Sequence, residues 1–405
     1  MKGLFFLLFF GLLLLPKIGY SVGRTWYQRA HHGGDARHRV TAFSIGNKGY
    51  LGGGHVNSGV LITYSDYWEY DPATNTWTQI ADYGGGQRYH SSAFVIGNAA
   101  YVGCGENNSG GYTKDFWKYV PEVNTWFPIA ELTAIERRGC VAFAIDGIGY
   151  FGLGQSDAGY RNDFFRYDPE TNVWSTVADF PGTPRNAAVS FTHNGKGYVG
   201  TGHITGLAVN DFYEYDPNTD TWTEKASVGL QPRQDAIGFS IDGKGYIGTG
   251  NDNIDQDFGD IWEYDFELDT WTQIEDFGGI KRRYGATFSI DNIVYVASGT
   301  DGTNLKDLWA WAPSVSIAES YLDEITISLY PNPSNDFIQI NASLPENILT
   351  EFTYSITDIN GKFVCSTKMI TQSVKLSKSD FGKGMYFLNI AYKNQIFKSE
   401  KFIFN

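Results

Sequence analysis

The 405-residue chain has little of what would make it disulfide-framed, membrane-spanning or nucleic-acid-binding. There are three cysteines, Cys104, Cys140 and Cys365, too few to frame a fold by disulfides even in an oxidising compartment. Cys104 and Cys140 fall in neighbouring repeats and could form a single bridge; the other reading is buried free thiols. Methionine (3) and proline (13) are scarce. Basic side chains are in deficit, with 31 Lys and Arg against 45 Asp and Glu and a net charge of −14. The deficit lies in residues 24–323, which carry 21 basic and 38 acidic side chains. Such a surface keeps a β-rich protein soluble and repels phosphate backbones, which argues against nucleic acid as a partner. No apolar run reaches the roughly 20 residues of a membrane-spanning helix. The longest, Leu4–Leu15, follows Lys2 and ends at Pro16, with the small residues Gly19, Ser21 and Gly23 beyond it. Residues 1–23 therefore read as a signal peptide; its removal leaves no transmembrane segment.

What is present is glycine (47 residues) and aromatic side chains (16%), a mix that suits many short strands joined by tight turns. A repeat settles the architecture. Trp26, Trp77, Trp126, Trp174, Trp222 and Trp271 are spaced by 51, 49, 48, 48 and 49 residues. Gly54, Gly105, Gly154, Gly202, Gly250 and Gly299 keep nearly the same step, as do Asp66, Asp115, Asp163, Asp211, Asp260 and Asp307. An arginine series reads Arg37, Arg88, Arg138, Arg185, Arg233 and Arg283. Each unit resolves into four strands. In the fifth they are Asp235–Ile241, Gly245–Gly250, Asp260–Asp265 and Thr270–Ile274, with Asp242-Gly243 as a hairpin turn. One such sheet cannot bury both faces, but sheets stacked around an axis can. The segment Thr25-Trp26-Tyr27-Gln28 matches the fourth strand Thr76-Trp77-Thr78-Gln79, and the last unit stops after Leu308–Ala312. The leading strand is thus expected to complete the final sheet, giving six blades over residues 24–313 and no free edge.

The glycine pairs, the run Tyr67-Trp68-Glu69-Tyr70-Asp71-Pro72 and the Asn75-Thr76-Trp77 strand resemble Kelch repeats. The resemblance implies an all-β, six-bladed Kelch-type β-propeller. A linker at 314–323 leads to residues 324–405, where about seven short strands predict a small β-sandwich. Here Tyr330-Pro331-Asn332-Pro333-Ser334, Asp358-Ile359-Asn360-Gly361-Lys362, Gly384-Met385-Tyr386-Phe387 and the Lys401-Phe402 end resemble the C-terminal sorting domain of type IX secretion in Gram-negative bacteria. That implies engagement of the type IX machinery and a protein released or held at the cell surface. A carbohydrate-binding or immunoglobulin-like module is the alternative reading of this segment.

The longest loops join the second and third strands, so one face of the ring is the expected binding surface. The six arginines begin the innermost strands. They form either a cationic collar for a carboxylate-bearing ligand or a structural set paired with the recurring Asp. His55 and His203 follow the second-strand glycines of blades one and four, on opposite sides, and Tyr89 and Tyr284 lie near the same face. His31, His32 and His55 could approach one another as metal ligands. Asp252, Asp255 and Asp257 give one loop the oxygen ligands that calcium uses, without EF-hand spacing. No cofactor is otherwise expected. No nucleophile elbow, zinc-protease motif or phosphate loop is present. The expected function is a non-catalytic binding module for a protein or glycan. The alternative is an extracellular enzyme, because Kelch propellers include galactose-oxidase-like copper radical oxidases and sialic acid epimerases. The oxidase would need a Tyr/His set with a crosslinked Cys, which cannot be placed here.

Overall fold

The computed structural model describes residues 23–57, 61–229, 231–313, 326–343, 352–359, 362–369, 371–392 and 395–405. The signal peptide and the linker expected from the sequence lie outside them, apart from Gly23, as does the Asn360-Gly361 turn. The chain forms two compact units, Thr25–Ala312 and a second containing Pro313–Asn405.

The first unit holds six four-stranded antiparallel sheets. The alternation of apolar and small polar residues makes each first strand half-buried, as in Thr41–Ile45. The second strands, such as Lys48–Gly52, are buried on both faces because they lie between neighbouring sheets. Two-residue turns such as Asp242-Gly243 place both residues at positive φ, which Asp and Gly tolerate. Arg24–Arg29 lies beside Leu308–Pro313 in the sheet built from the last repeat, so the leading segment is the outer strand of blade six.

The blades are joined by aromatic wedges. Each core cluster draws on two adjacent blades: Phe94 and Tyr101 of blade two, for example, meet Phe151, Tyr167 and Trp174 of blade three. The repeated tryptophan also ties neighbours by a hydrogen bond. Trp77 Nε1 donates to the Ala30 carbonyl at 2.8 Å, Trp174 to Ala130 at 2.9 Å and Trp271 to Ala226 at 2.9 Å. Trp26 packs against Phe277 and Trp311, but its ring N–H has no acceptor among the described residues. At the seam between the last and first blades, Gly49 lies under the Phe288 ring, where a Cβ would come within 2.1 Å of the ring carbon Cε2.

The second unit is a two-sheet sandwich. Ile327–Tyr330, Phe337–Ala342 and Ser373–Ser377 form one sheet; Phe363–Lys368, Phe352–Asp358, Gly384–Tyr392 and Gln395–Phe404 form the other in that order. Their shared core is built from Ile338, Ile340, Phe352, Ile356, Leu388, Ile390 and Phe402. Among the described residues, no helix is long and apolar enough to cross a membrane.

Candidate functional site

The arginine series has a structural role, and its membership needs one correction. Arg37, Arg88, Arg185 and Arg233 are buried and bind the recurring aspartates Asp66, Asp115, Asp211 and Asp260 through two nitrogens each. In blades three and six the equivalent residues are Arg137 and Arg282, which hold Asp163 and Asp307. Arg138 and Arg283 stand one residue later and face the channel mouth. Each buried guanidinium also donates to the carbonyl sixteen residues on, that of Gly53, Cys104, Leu153, Thr201, Thr249 or Ser298. The carbonyl of each arginine accepts the amide of the second glycine in the preceding blade, as in Gly202 to Arg233 at 2.9 Å. These glycines have φ between +83 and +104, and at Gly202 a Cβ would stand 2.7 Å from the Asn186 carbonyl oxygen. Burial alone would raise the Asp66, Asp115, Asp260 and Asp307 carboxyls, but bonds from the paired arginine and a neighbouring indole outweigh it and hold them below the ordinary value. The collar is therefore already neutralised by carboxylates of the protein itself.

The residues after each arginine build the mouth. The next residue bridges to the residue beyond the second glycine, pairing His38 with His55, Tyr89 with Glu106, Arg138 with Gln155, Asn186 with His203, Gln234 with Asn251 and Arg283 with Thr300. The residue after that is left-handed in every blade. Arg39, His90, Gly139, Ala187, Asp235 and Tyr284 all have φ of 54–62°. Their backbones are linked from blade to blade, His90 to Arg39 at 3.1 Å, Gly139 to His90 at 3.1 Å, Ala187 to Gly139 at 3.0 Å, Asp235 to Ala187 at 3.1 Å and Tyr284 to Asp235 at 2.9 Å. The backbone is periodic here while the side chains are not.

Arg39 is the centre of the polar cluster. Its guanidinium carbon lies 3.9 Å from the centre of the Tyr284 ring, one amino group donates to the Tyr284 hydroxyl at 2.6 Å, and the other meets His55 Nε2 at 3.0 Å. Among the described residues it makes no ion pair, whereas Arg138 is paired with Glu106 and Arg283 with Asp257 at 2.9 Å. His55 stacks on Tyr89 with ring centres 4.0 Å apart and planes 7° from parallel. Across the mouth, His203 Nδ1 shares a hydrogen bond of 2.7 Å with the Tyr160 hydroxyl. Burial, reinforced by nearby arginines, lowers His38 to about 4, and burial, with His38 and the arginines, lowers His55 to about 3. His90 falls well below its ordinary value for the same reasons. These imidazoles are neutral at physiological pH. Burial pushes Asp235 up to about 7, against the pull of Arg39 and a hydrogen bond with Tyr284.

Of the residues expected from sequence, His55, Tyr89 and Tyr284 adjoin one another through Arg39, with Arg138 and Arg283 beside them. His203 stands on the opposite side. Arg39, Glu106 and Asp235 were not among the expectations. His31, His32 and His55 are not brought together: His32 is buried against Ser298 and Trp77, and His31 is exposed beside Gln28. In the acidic loop, Asp252 accepts the amides of Ile254 and Gln256, Asp255 accepts from the Asn251 side chain, and Asp257 holds Arg283. Among the described residues no group of three His, Cys, Asp or Glu is placed to hold a metal ion. Cys104 and Cys140 are free thiols within one core cluster, not a bridge. Cys104 fills the repeat position of Gly53 and Leu153, and burial pushes the Cys140 thiol up to about 12.

A family model described as the Attractin/LZTR1 beta-propeller matches residues 83–309. Another, the secretion system C-terminal sorting domain, matches residues 328–405. No curated protein matches this chain in sequence. Among solved structures, one titled "Structure of YjhT" is 18% identical, with a TM-score of 0.56 over 69% of this chain and 95% of its own. At that identity the likeness speaks for the fold alone. The chain therefore belongs to the Attractin/LZTR1 beta-propeller family and carries a type IX sorting domain, which makes it an exported protein of a Gram-negative bacterium, secreted or at the cell surface.

Proposed function

We propose that the exported propeller is a non-catalytic binding module whose channel mouth holds an acidic glycan. The observation that carries this reading is Arg39, a guanidinium in a protein-walled cup that makes no ion pair among the described residues, while burial pushes the nearby Asp235 carboxyl towards its neutral form. Eight other arginines of the propeller, by contrast, have their own acids. An incoming carboxylate meets a fixed cation that is already oriented by Tyr284 and His55, so little ordering cost remains. The half-buried rings of Tyr160 and Tyr284 supply the flat, half-polar surfaces on which sugar rings settle. The test is an array of acidic and neutral glycans probed with the full chain and with Arg39→Gln. Acidic glycans should be retained by the wild type and lost by at least tenfold in the variant; equal retention by both overturns the reading.

One observation favours a second reading, an enzyme that moves protons at this mouth. Asp235, raised to about 7, stands beside Tyr284 and Arg39, and a carboxyl titrating near the working pH suits general acid–base chemistry. Turnover of any array ligand that Asp235→Asn abolishes while binding persists would establish the enzyme and retire the non-catalytic reading.

A further inference from the structure

The joint between blades six and one is built differently from the other five. In those five, the residue six places after the fourth-strand tryptophan is Tyr83, Leu132, Phe180, Val228 or Phe277, each buried in the core between neighbouring blades. Each donates its amide to a carbonyl of the blade it has just left, at 2.7–3.0 Å. At the last joint the position is taken by His32, which is equally buried. Among the described residues its amide makes no such bond and its Nδ1 has no partner. Its Nε2 meets the Ser298 hydroxyl of blade six at 3.2 Å, and its ring lies edge-on to Trp77 of blade one.

A second buried imidazole bridges the same joint nearer the mouth. His38 of blade one shares a 2.7 Å hydrogen bond, through Nδ1, with Asn304 Oδ1 of blade six. The corresponding residues of the other blades are Tyr89, Arg138, Asn186, Gln234 and Arg283, so the six–one joint alone has histidine at both positions. The same joint is crossed by Gly299 to Arg37 at 3.3 Å, Arg37 to Leu305 at 3.0 Å and Arg39 to the Tyr284 hydroxyl at 2.6 Å.

Neither imidazole accepts a proton readily while the joint is closed. Burial lowers both to about 4, from an ordinary 6.5. Arg37, Lys306 and His31 push His32 the same way, and Asp66, which pulls it up, is already held by Arg37. Around His38 stand Arg39 and Arg283, with the His55 ring at 4.3 Å and the Tyr284 ring at 5.3 Å; the Asn304 bond pulls it up without offsetting burial. Parting the blades returns both rings to water, where they bind protons again. The stability that the closed joint draws from neutral histidines is therefore complete above about pH 6.5 and is lost as pH falls towards 4.

We propose that this joint is an acid-operated seam: protonation of His32 and His38 traps the parted form, so the ring opens first between blades six and one and takes the Arg39–Tyr284 contact of the mouth with it, whatever the mouth binds. Residues 30–36 run from the strand Arg24–Arg29 to Arg37, so the parted blades stay tethered and the opening is reversible.

The test is hydrogen exchange of the full chain at about pH 7.5 and about pH 5, read by fragmentation mass spectrometry, with each rate divided by the intrinsic rate at that pH. Protection of the Gly299 and Arg37 amides should fall at least tenfold more than that of Gly202 and Gly250, which make the corresponding bonds at joints four–five and five–six. An equal change at all four overturns the proposal. His32→Leu combined with His38→Gln installs the residues found at Leu132 and Gln234, and the selective loss should disappear; its persistence would show that the histidines are not the trigger. Should the double variant not fold, the single variants are measured. The slope of log protection against pH, up to about two in the wild type, should fall by about one in each, and an unchanged slope in either overturns the proposal.

Discussion

The amide of Gly299 in the last blade donates to the carbonyl of Arg37 in the first at 3.3 Å. The five equivalent links, from Gly54, Gly105, Gly154, Gly202 and Gly250, measure 2.8–2.9 Å. The ring is closed, but its seam is its longest bond. Amide exchange should be fastest at Gly299 among these six glycines, because local opening begins where a bond is most stretched. Exchange followed by mass spectrometry checks this; equal protection at all six would show that the seam opens no more readily than the other joints.

The buried arginine pairs should dominate stability. Arg185→Met leaves the Asp211 carboxylate without its partner and should cost about 3–5 kcal/mol in denaturant unfolding. Arg185→Met combined with Asp211→Leu should recover part of that loss, since no charge is then stranded. A single variant that unfolds with the wild type would show that the pair holds nothing together.

Neighbouring residues just beyond the second strand of blade four, Lys196–Gly200, should behave in opposite ways. Gly202 has φ +104 and no room for a Cβ beside the Asn186 carbonyl, so Gly202→Ala should cost of the order of 2–3 kcal/mol. Thr201 is fully buried with its hydroxyl unpartnered, and Thr201→Ala should stay within about 1 kcal/mol of the wild type because no hydrogen bond is lost. Thermal melts of the two variants compare them directly.

The tryptophans are predicted to divide. Trp271→Phe removes the bond to Ala226 and should cost about 1 kcal/mol more than Trp26→Phe, whose ring N–H has no acceptor to lose among the described residues. Equal losses in chemical denaturation would contradict this.

Asp235 gives a pH dependence of known sign. Its folded pKa of about 7 lies above the ordinary 3.8, so the native state holds the proton longer than the unfolded chain. The stability it contributes is complete below about pH 4 and is lost as pH rises through 7. Asp235→Asn should therefore stabilise the protein at pH 8, by roughly 1–3 kcal/mol, and make little difference near pH 4. A pH-independent effect would place the cause elsewhere.

Much of this was legible in the residues themselves. The tryptophan, glycine and aspartate spacings mark the blades because each sheet needs the same wedge, turn and anchor. The match of Thr25-Trp26 to Thr76-Trp77 placed the leading strand in the last sheet. The arginine series slipped at Arg137-Arg138 and Arg282-Arg283, where two adjacent arginines make the choice ambiguous. A constant step of sixteen residues to Gly53, Cys104, Leu153, Thr201, Thr249 and Ser298 resolves it and was there to be used. Arg39 and Asp235 were not legible, because their roles come from a left-handed backbone that turns them into the channel. Nothing in the residue types Arg, His, Gly, Ala, Asp and Tyr announces a shared conformation.

Making the opening strand the outer edge of the final blade also sets an order of events. A chain emerging from its amino end holds Arg24–Arg29 without a mate until Leu308–Pro313 arrives, almost three hundred residues later. During that interval the nascent propeller displays an unsatisfied β-edge in a crowded compartment. Any premature stop before residue 308 would make that exposure permanent, so truncated products should be sticky and short-lived even though most of their blades are intact.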